Sequence, residues 1–270
     1  MQIAVATKAT PLKDVQIDSS ICKLFVVIEY TDKNLNRPNI NPMRFKILPA
    51  LDKIKLSVER QTENGTENIL MPMGLGTLGE IAANMEGHIN SICYIAGNTG
   101  INVEMQIPIA PASLSADAGK YLLLSLDTSE FEFEDLKIWL YSLEVPVLTR
   151  NHVEYRQHKV IANTIKTLST RDLDLVSFPR KDFQSVDFVY PNKTVTYKGV
   201  ELKAIPQGVE NLIANYVAVL NGEVDELRIE LHSQSYYDGI NYHTIRTKGM
   251  SEIRVLYSDD ANIITTQLSK

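Results

Sequence analysis

Apolar and polar residues alternate with a period of two along most of this chain, which predicts β-strands almost throughout. Between positions 53 and 59, Ile54, Leu56 and Val58 point one way, and Lys53, Lys55, Ser57 and Glu59 the other. The same period recurs at 224–231, with Leu227, Ile229 and Leu231 on one face, and again at 253–257. Near-continuous aliphatic, β-branched and aromatic runs at 21–30, 101–109, 121–126 and 136–143 read as further strands. Turns are expected at Asn64-Gly65, Gly97-Asn98, Lys198-Gly199, Asn221-Gly222 and Asp238-Gly239, each with a residue type that tolerates positive φ. Many short strands spaced by such turns predict an all-β sandwich or barrel.

Two stretches switch to the helical period. GLGTLGEIAANME at 74–86 places Leu75, Leu78, Ile81, Ala82 and Met85 on one face, and PQGVENLIANYV at 206–217 does the same with Val209, Leu212, Ile213 and Tyr216. Pro206 suits a first helical turn. LGEIAAN at 78–84 lies over VENLIAN at 209–215 without a gap. Each helix follows a hairpin-like stretch, 53–70 and 188–205, and each half is expected to end in a matching closing strand, WLYS at 139–142 over VLYS at 255–258. The recurring order predicts an internal duplication. Its seam falls within 143–151, where Pro146 interrupts the strand pattern, and gives halves at 1–146 and 147–270.

Composition narrows the picture. With 270 residues, 44% hydrophobic and 22% charged, the chain can build its core without metals or disulfides. A net charge of −6, with no run of Lys and Arg longer than two, argues against direct contact with nucleic acid. Cys22 and Cys93 both sit in apolar strand-like runs; buried free thiols are expected, with a disulfide between them left open. The start MQIAVATKAT lacks the basic and apolar regions of a signal peptide, and no apolar stretch approaches the ~18 residues of a membrane span. Synthesis in a cytosol is expected, so the Asn-x-Thr triplets at Asn64 and Asn192 read as plain turn residues.

Candidate chemistry is sparse. His88, His152, His158, His232 and His243 form no His-x-His pair of the kind that chelates a metal from one strand face, and read as surface residues. There is no G-x-S-x-G nucleophile elbow. Gly74-Leu-Gly76-Thr-Leu-Gly79 has the G-x-G-x-x-G form and opens a helix, but lacks the βαβ surroundings of a dinucleotide site. Glu130, Glu132, Glu134 and Asp135 read as a solvated face. Asp172 and Asp174 give a weak metal signal: two carboxylates expected on one strand face, suited to a hard cation such as calcium. Asp259-Asp260 and the 238–241 loop are similar candidates. Apolar connections at 39–49 and 108–114, with Phe178, Phe183, Phe188 and Tyr190 further on, either contact other subunits or cover the core. The single Trp139, in an apolar strand, reads as core.

The duplicated strand order, the helix within each half (75–85 and 207–217) and the missing catalytic constellation resemble the double jelly-roll major capsid proteins of membrane-containing icosahedral viruses. The compact length is most similar to the corticovirus type, from a lipid-containing marine bacteriophage. The resemblance implies two tandem eight-stranded jelly rolls, each with a short helix, in a non-enzymatic homotrimer. It further implies pseudo-hexagonal tiles over an internal lipid membrane, virion localisation, other virion proteins at the vertices, contact with the viral membrane surface, and structural calcium. The rival expectation is a carbohydrate-binding or carbohydrate-acting β-sandwich, such as a lectin or tail-fibre module.

Overall fold

The computed structural model describes residues 1–17, 19–34, 50–86, 91–96, 99–116, 120–199, 201, 217–218, 226–230 and 242–268. They fall into two compact units: Met1–Val153 with Asn211–Ile240, and Glu154–Glu210 with Asn241–Lys270. The first unit begins with β1 (Gln2–Thr7), β2 (Leu12–Ile17), β3 (Lys23–Thr31), β4 (Lys55–Thr62) and β5 (Gly65–Gly74). Helix α1 (Leu75–Glu86) follows, then β6 (Ser91–Ala96), β7 (Gly100–Pro108), β8 (Ser113–Leu114), β9 (Leu122–Asp127), β10 (Glu134–Leu143) and β11 (Leu148–Thr149). The second unit supplies β12 (Val153–Val160), β13 (Lys166–Ser169), β14 (Leu175–Pro179), β15 (Phe183–Tyr190) and β16 (Lys193–Lys198). The chain then returns to the first unit for β17 (Val217–Ala218) and β18 (Glu226–Glu230), and closes the second with β19 (Tyr242–Arg246), β20 (Glu252–Tyr257) and β21 (Ala261–Leu268).

Each unit is a jelly roll, and the two have one topology. Let β1, β2, β3, β4, β5, β7, β9 and β10 be strands one to eight of the first roll. Its sheets then run 1-8-3-6 and 2-7-4-5, with β6, β18 and β17 extending the first. Let β12, β13, β14, β15, β16, β19, β20 and β21 be the same positions of the second; the sheets again run 1-8-3-6 and 2-7-4-5. Neighbouring strands within the first roll's two sheets are antiparallel. Such sheets bury one face each, so period-two alternation closes into a sandwich.

Burial follows the sequence period. In β3, Leu24, Val26, Ile28 and Tyr30 are buried while Lys23, Phe25, Val27 and Glu29 are half-exposed. Opposite them in register, β7 turns Ile101, Val103, Met105 and Ile107 inward, and β10 turns Leu136, Ile138 and Leu140. The second core gathers Val176, Phe178, Val186, Phe188, Ile245, Ile253, Val255, Tyr257 and Ile263.

The strand order is doubled, but one of the expected markers of the repeat is misplaced. The hairpins β4–β5 and β15–β16 both join strands four and five, and α1 and the 206–217 segment both lie between strands five and six. Positions 206–216 of that expected second helix lie outside the described residues, while Val217 begins β17. By contrast, WLYS at 139–142 sits on strand eight and VLYS at 255–258 starts on strand seven. Tyr141 is half-exposed and Tyr257 fully buried, so the shared letters face opposite ways. An alternating pattern repeats in any two strands, and four residues do not distinguish them.

The cysteine question is answered by register. Cys22 is a buried free thiol whose Sγ donates to the Leu143 carbonyl at 3.1 Å. Cys93 pairs with Val103 on β7, whereas Cys22 lies beyond the Lys23–Pro108 pair. That is two strands across and six positions along, roughly 10 Å by 20 Å, beyond the reach of a disulfide.

Candidate assembly surfaces

The glycine motif turns out to serve a helix cap. Asp52 Oδ1 accepts the Thr77 N–H at 2.6 Å, and Leu75 N–H donates to the Ile54 carbonyl at 3.0 Å. Two of the first-turn donors of α1 are thus satisfied by the preceding segment, and a carboxylate already occupies the positive end of the helix. Gly74 is required because a Cβ there would lie 2.3 Å from Asp52 Oδ1. The site is therefore filled by the chain itself and leaves no room for a phosphate.

Burial pushes the Asp52 carboxyl above its ordinary value, against the hydrogen bonds from Thr77, which pull it down. A carboxyl raised on folding adds stability as pH falls and loses it as pH rises through the raised value. Asp52→Asn keeps the acceptor without the buried charge. It is expected to match or exceed the parent at neutral pH and to flatten the pH dependence, with Asp52→Ala about 1–2 kcal/mol below Asp52→Asn. Urea unfolding at pH 5 and pH 8 checks both the order and the slope.

Of the three described histidines, His152 and His243 are buried and His158 is half-buried. His152 is fully buried, with Nε2 3.9 Å from Glu67 Oε1; Glu67 Oε2 in turn takes Arg60 Nε at 2.9 Å and Nη2 at 2.5 Å. Arg60 Nη1 also donates to the Arg150 carbonyl at 2.8 Å, so this group ties down the chain at 150–152. His158 shares a hydrogen bond with Thr265 Oγ1 at 2.8 Å; burial, with Lys166 and Arg156, lowers its pKa. His243 lies in the second roll, and burial, with the charge of Arg180, lowers it to about 4. His88 and His232 lie outside the described residues.

His243 gives this fold an acid limit. The unfolded chain takes up a proton near pH 6.5 and the folded chain only near pH 4, so stability held above pH 6.5 is lost as pH falls toward 4. The loss amounts to at most about 3 kcal/mol. A His243→Leu variant is expected to show a shallower decline in Tm between pH 7 and pH 4.5 than the parent.

Asp172 and Asp174 are not on a strand. They lie in the turn between β13 and β14, Asp172 with a φ of 70°, and Asp174 Oδ2 accepts the Leu268 N–H at 3.0 Å. Calcium takes about six to eight oxygens, so water or a neighbouring copy would have to supply most of them. Asp260 is held by the Ala162 N–H at 3.0 Å and by Lys159 at 3.0 Å, which lower its pKa. Among the described residues no three His, Cys, Asp or Glu side chains converge as metal ligands. The 238–241 loop lies outside the described residues. Glu130, Glu132, Glu134 and Asp135 are exposed, around a buried corner where Phe131 meets Tyr30 edge-on at 5.1 Å.

The outer surface of the first roll is the notable feature. Trp139 is not core: the inward residues of β10 are Ile138 and Leu140, and Trp139 stands half-exposed on the opposite face. Register sets Val5 beside Trp139 and Trp139 beside Val27, with Phe25 beside Tyr141 at 5.9 Å between rings. This apolar stripe runs toward a shallow depression of about 770 Å³ bordered by Glu29, Asn102, Glu104, Asp135 and Lys137. Val147 and Leu148 are 61% and 70% exposed, and in the second roll Ile161 and Ile165 are 61% and 62% exposed.

Several segments that the sequence left open between subunit contact and core cover are interior. Ile109 and Leu114 are fully buried, and Phe178 and Phe188 belong to the second core, with Phe183 and Tyr190 packed against it. The 39–49 segment lies outside the described residues.

No protein-family model and no curated protein matches the sequence. Solved structures do match in fold. The crystal structure of the STIV MCP aligns at a TM-score of 0.48 and 8% identity, covering 98% of this chain and 96% of that one. The major capsid protein P2 from Bacteriophage PM2 aligns at 0.43 and 10% identity, covering 100% and 97%. A chain in the atomic structure of Sulfolobus Turreted Icosahedral Virus aligns at 0.53 and 12% identity, covering 99% of this chain and 89% of its own. Over nearly its whole length, this all-β chain therefore has the fold of a chain from an icosahedral virus.

Proposed function

We propose that this chain is the major capsid protein of an icosahedral virus and works by assembly, without catalysis. The observation that carries the reading is the doubled 1-8-3-6 and 2-7-4-5 order, matched across 99% of the chain by a chain of an icosahedral virus. A jelly roll alone serves many functions, so the tandem arrangement and the full-length match bear the weight.

Geometry gives the duplication a use. Two similar but unequal rolls per chain turn a three-fold trimer into a six-lobed tile, which packs against like tiles on the face of an icosahedron. The half-exposed stripe of Val5, Phe25, Val27, Trp139 and Tyr141 is apolar area suited to such side-by-side contact. In this reading the protein resides in the virion, its partners are copies of itself and other virion proteins at the vertices, and the shell encloses a membrane. The net charge of −6 fits a shell that does not touch the genome directly. Sedimentation equilibrium at micromolar concentration is expected to give three times the 30.3 kDa chain mass; a stable monomer would remove the proposal.

A further inference from the structure

The sequence contains two Asn-x-Ser/Thr triplets without proline in the middle, Asn64-Gly-Thr66 and Asn192-Lys-Thr194. Two is no more than composition would give, so their number carries nothing. Their placement does. Thr62 pairs with Gly65 across β4 and β5, which leaves Glu63 and Asn64 as a two-residue turn. Tyr190 pairs with Lys193 across β15 and β16, which leaves Pro191 and Asn192. In both rolls the asparagine is the second residue of the turn joining strands four and five. The same structural position of a duplicated fold carries the same triplet twice.

The turns do not need asparagine for their own sake. Asparagine is common in hairpin turns because it tolerates positive φ and bonds its own backbone. Neither Asn64 nor Asn192 is among the residues with positive φ. Among the described residues, neither carboxamide makes a hydrogen bond, and neither do the hydroxyls of Thr66 and Thr194. The first turn is closed instead by Thr62 Oγ1 donating to the Gly65 carbonyl at 3.0 Å. All six residues of the two triplets are exposed.

We propose that Asn64 and Asn192 are paired N-glycan acceptors at the hairpin tips of the two rolls. The donor is an activated glycosyl phosphate, nucleotide-linked or lipid-linked. The carboxamide nitrogen bonds the anomeric carbon as the carbon–oxygen bond to the donor phosphate breaks. The phosphate leaves with that electron pair, and a carboxamide proton passes to the base of the transferase. The hydroxyl two residues on completes the recognised triplet. Exposed asparagines whose carboxamides bond to nothing in either strand can carry a bulky polar group without disturbing either core. The contact of Lys193 over the Tyr190 ring at 5.6 Å does not involve them.

The test uses the folded full-length chain in two arms. One arm holds a soluble asparagine glycosyltransferase with UDP-glucose, the other a membrane oligosaccharyltransferase with a lipid-linked oligosaccharide. Both run under conditions in which a short Asn-Gly-Thr peptide is glycosylated, and glycopeptide mass spectrometry is the readout. The expected result is one glycan at each of Asn64 and Asn192 in at least one arm, which also tells the two donor sources apart. Asn64→Gln and Thr66→Val should each remove only the first glycan, and Asn192→Gln and Thr194→Val only the second, with Tm unchanged. Absence of sugar from the folded chain in both arms, or sugar that persists in the threonine variants, would overturn the assignment. The outcome is independent of whether the chain forms a capsid.

Discussion

Gly74→Ala is expected to destabilise the first roll by about 2–4 kcal/mol, far more than a glycine-to-alanine change next to a helix usually costs. The methyl group would lie 2.3 Å from Asp52 Oδ1, 2.7 Å from Asp52 Cα and 2.9 Å from Asp52 Cγ. Rotating the Asp52 side chain relieves the first and third contacts but not the second, which is backbone. The segment at 50–54 must therefore move, and with it the acceptor for Thr77 N–H and the Ile54 carbonyl that takes Leu75 N–H. Ile54 and Leu56, both fully buried, follow in the same segment. Chemical denaturation of Gly74→Ala beside Asp52→Ala separates the two causes. If steric displacement dominates, the glycine variant is the less stable; equal losses would mean that only the cap matters.

Phe178→Ala is expected to cost about 3–5 kcal/mol and to lower Tm on the order of 10 °C. Phe178 is fully buried, with its ring 6.2 Å from that of Phe188, which is itself 5.7 Å from Tyr197. Truncation opens a cavity between the two sheets of the second roll, where close packing prevents full collapse. The Tyr257 hydroxyl donates to the Pro179 carbonyl at 2.8 Å, and this bond should hold β14 in place around the void. Differential scanning calorimetry reads the shift; a loss under about 1 kcal/mol would show that the second core tolerates the gap.

Strands were legible because each sheet needs only one buried face. Ile54, Leu56 and Val58, or Ile253, Val255 and Tyr257, announce that face by spacing alone, and all six are buried. The register between strands was not legible. It depends on partners far apart in sequence, such as Gln2 with Tyr141 or Lys23 with Pro108. Hence WLYS and VLYS looked equivalent although they occupy different strands. Trp139 misled for the same reason: an apolar run does not say which alternate residues face outward. The histidines failed differently, since burial of His152 and His243 is set by neighbours such as Glu67 and Arg180, which no local spacing reveals. Asp172 and Asp174 were two apart, as on a strand, but the left-handed φ of Asp172 breaks the strand there. The Gly74 motif was visible in sequence and its purpose was not, because Asp52 lies 22 positions earlier and meets it only in the fold.

Six jelly rolls from three chains are expected to make one tile. Electron microscopy of the purified oligomer, averaged in projection, examines this directly. The predicted result is a three-fold particle with six peripheral lobes and a near-hexagonal outline. Two-lobed monomers, or closed dimers with four lobes, would contradict it.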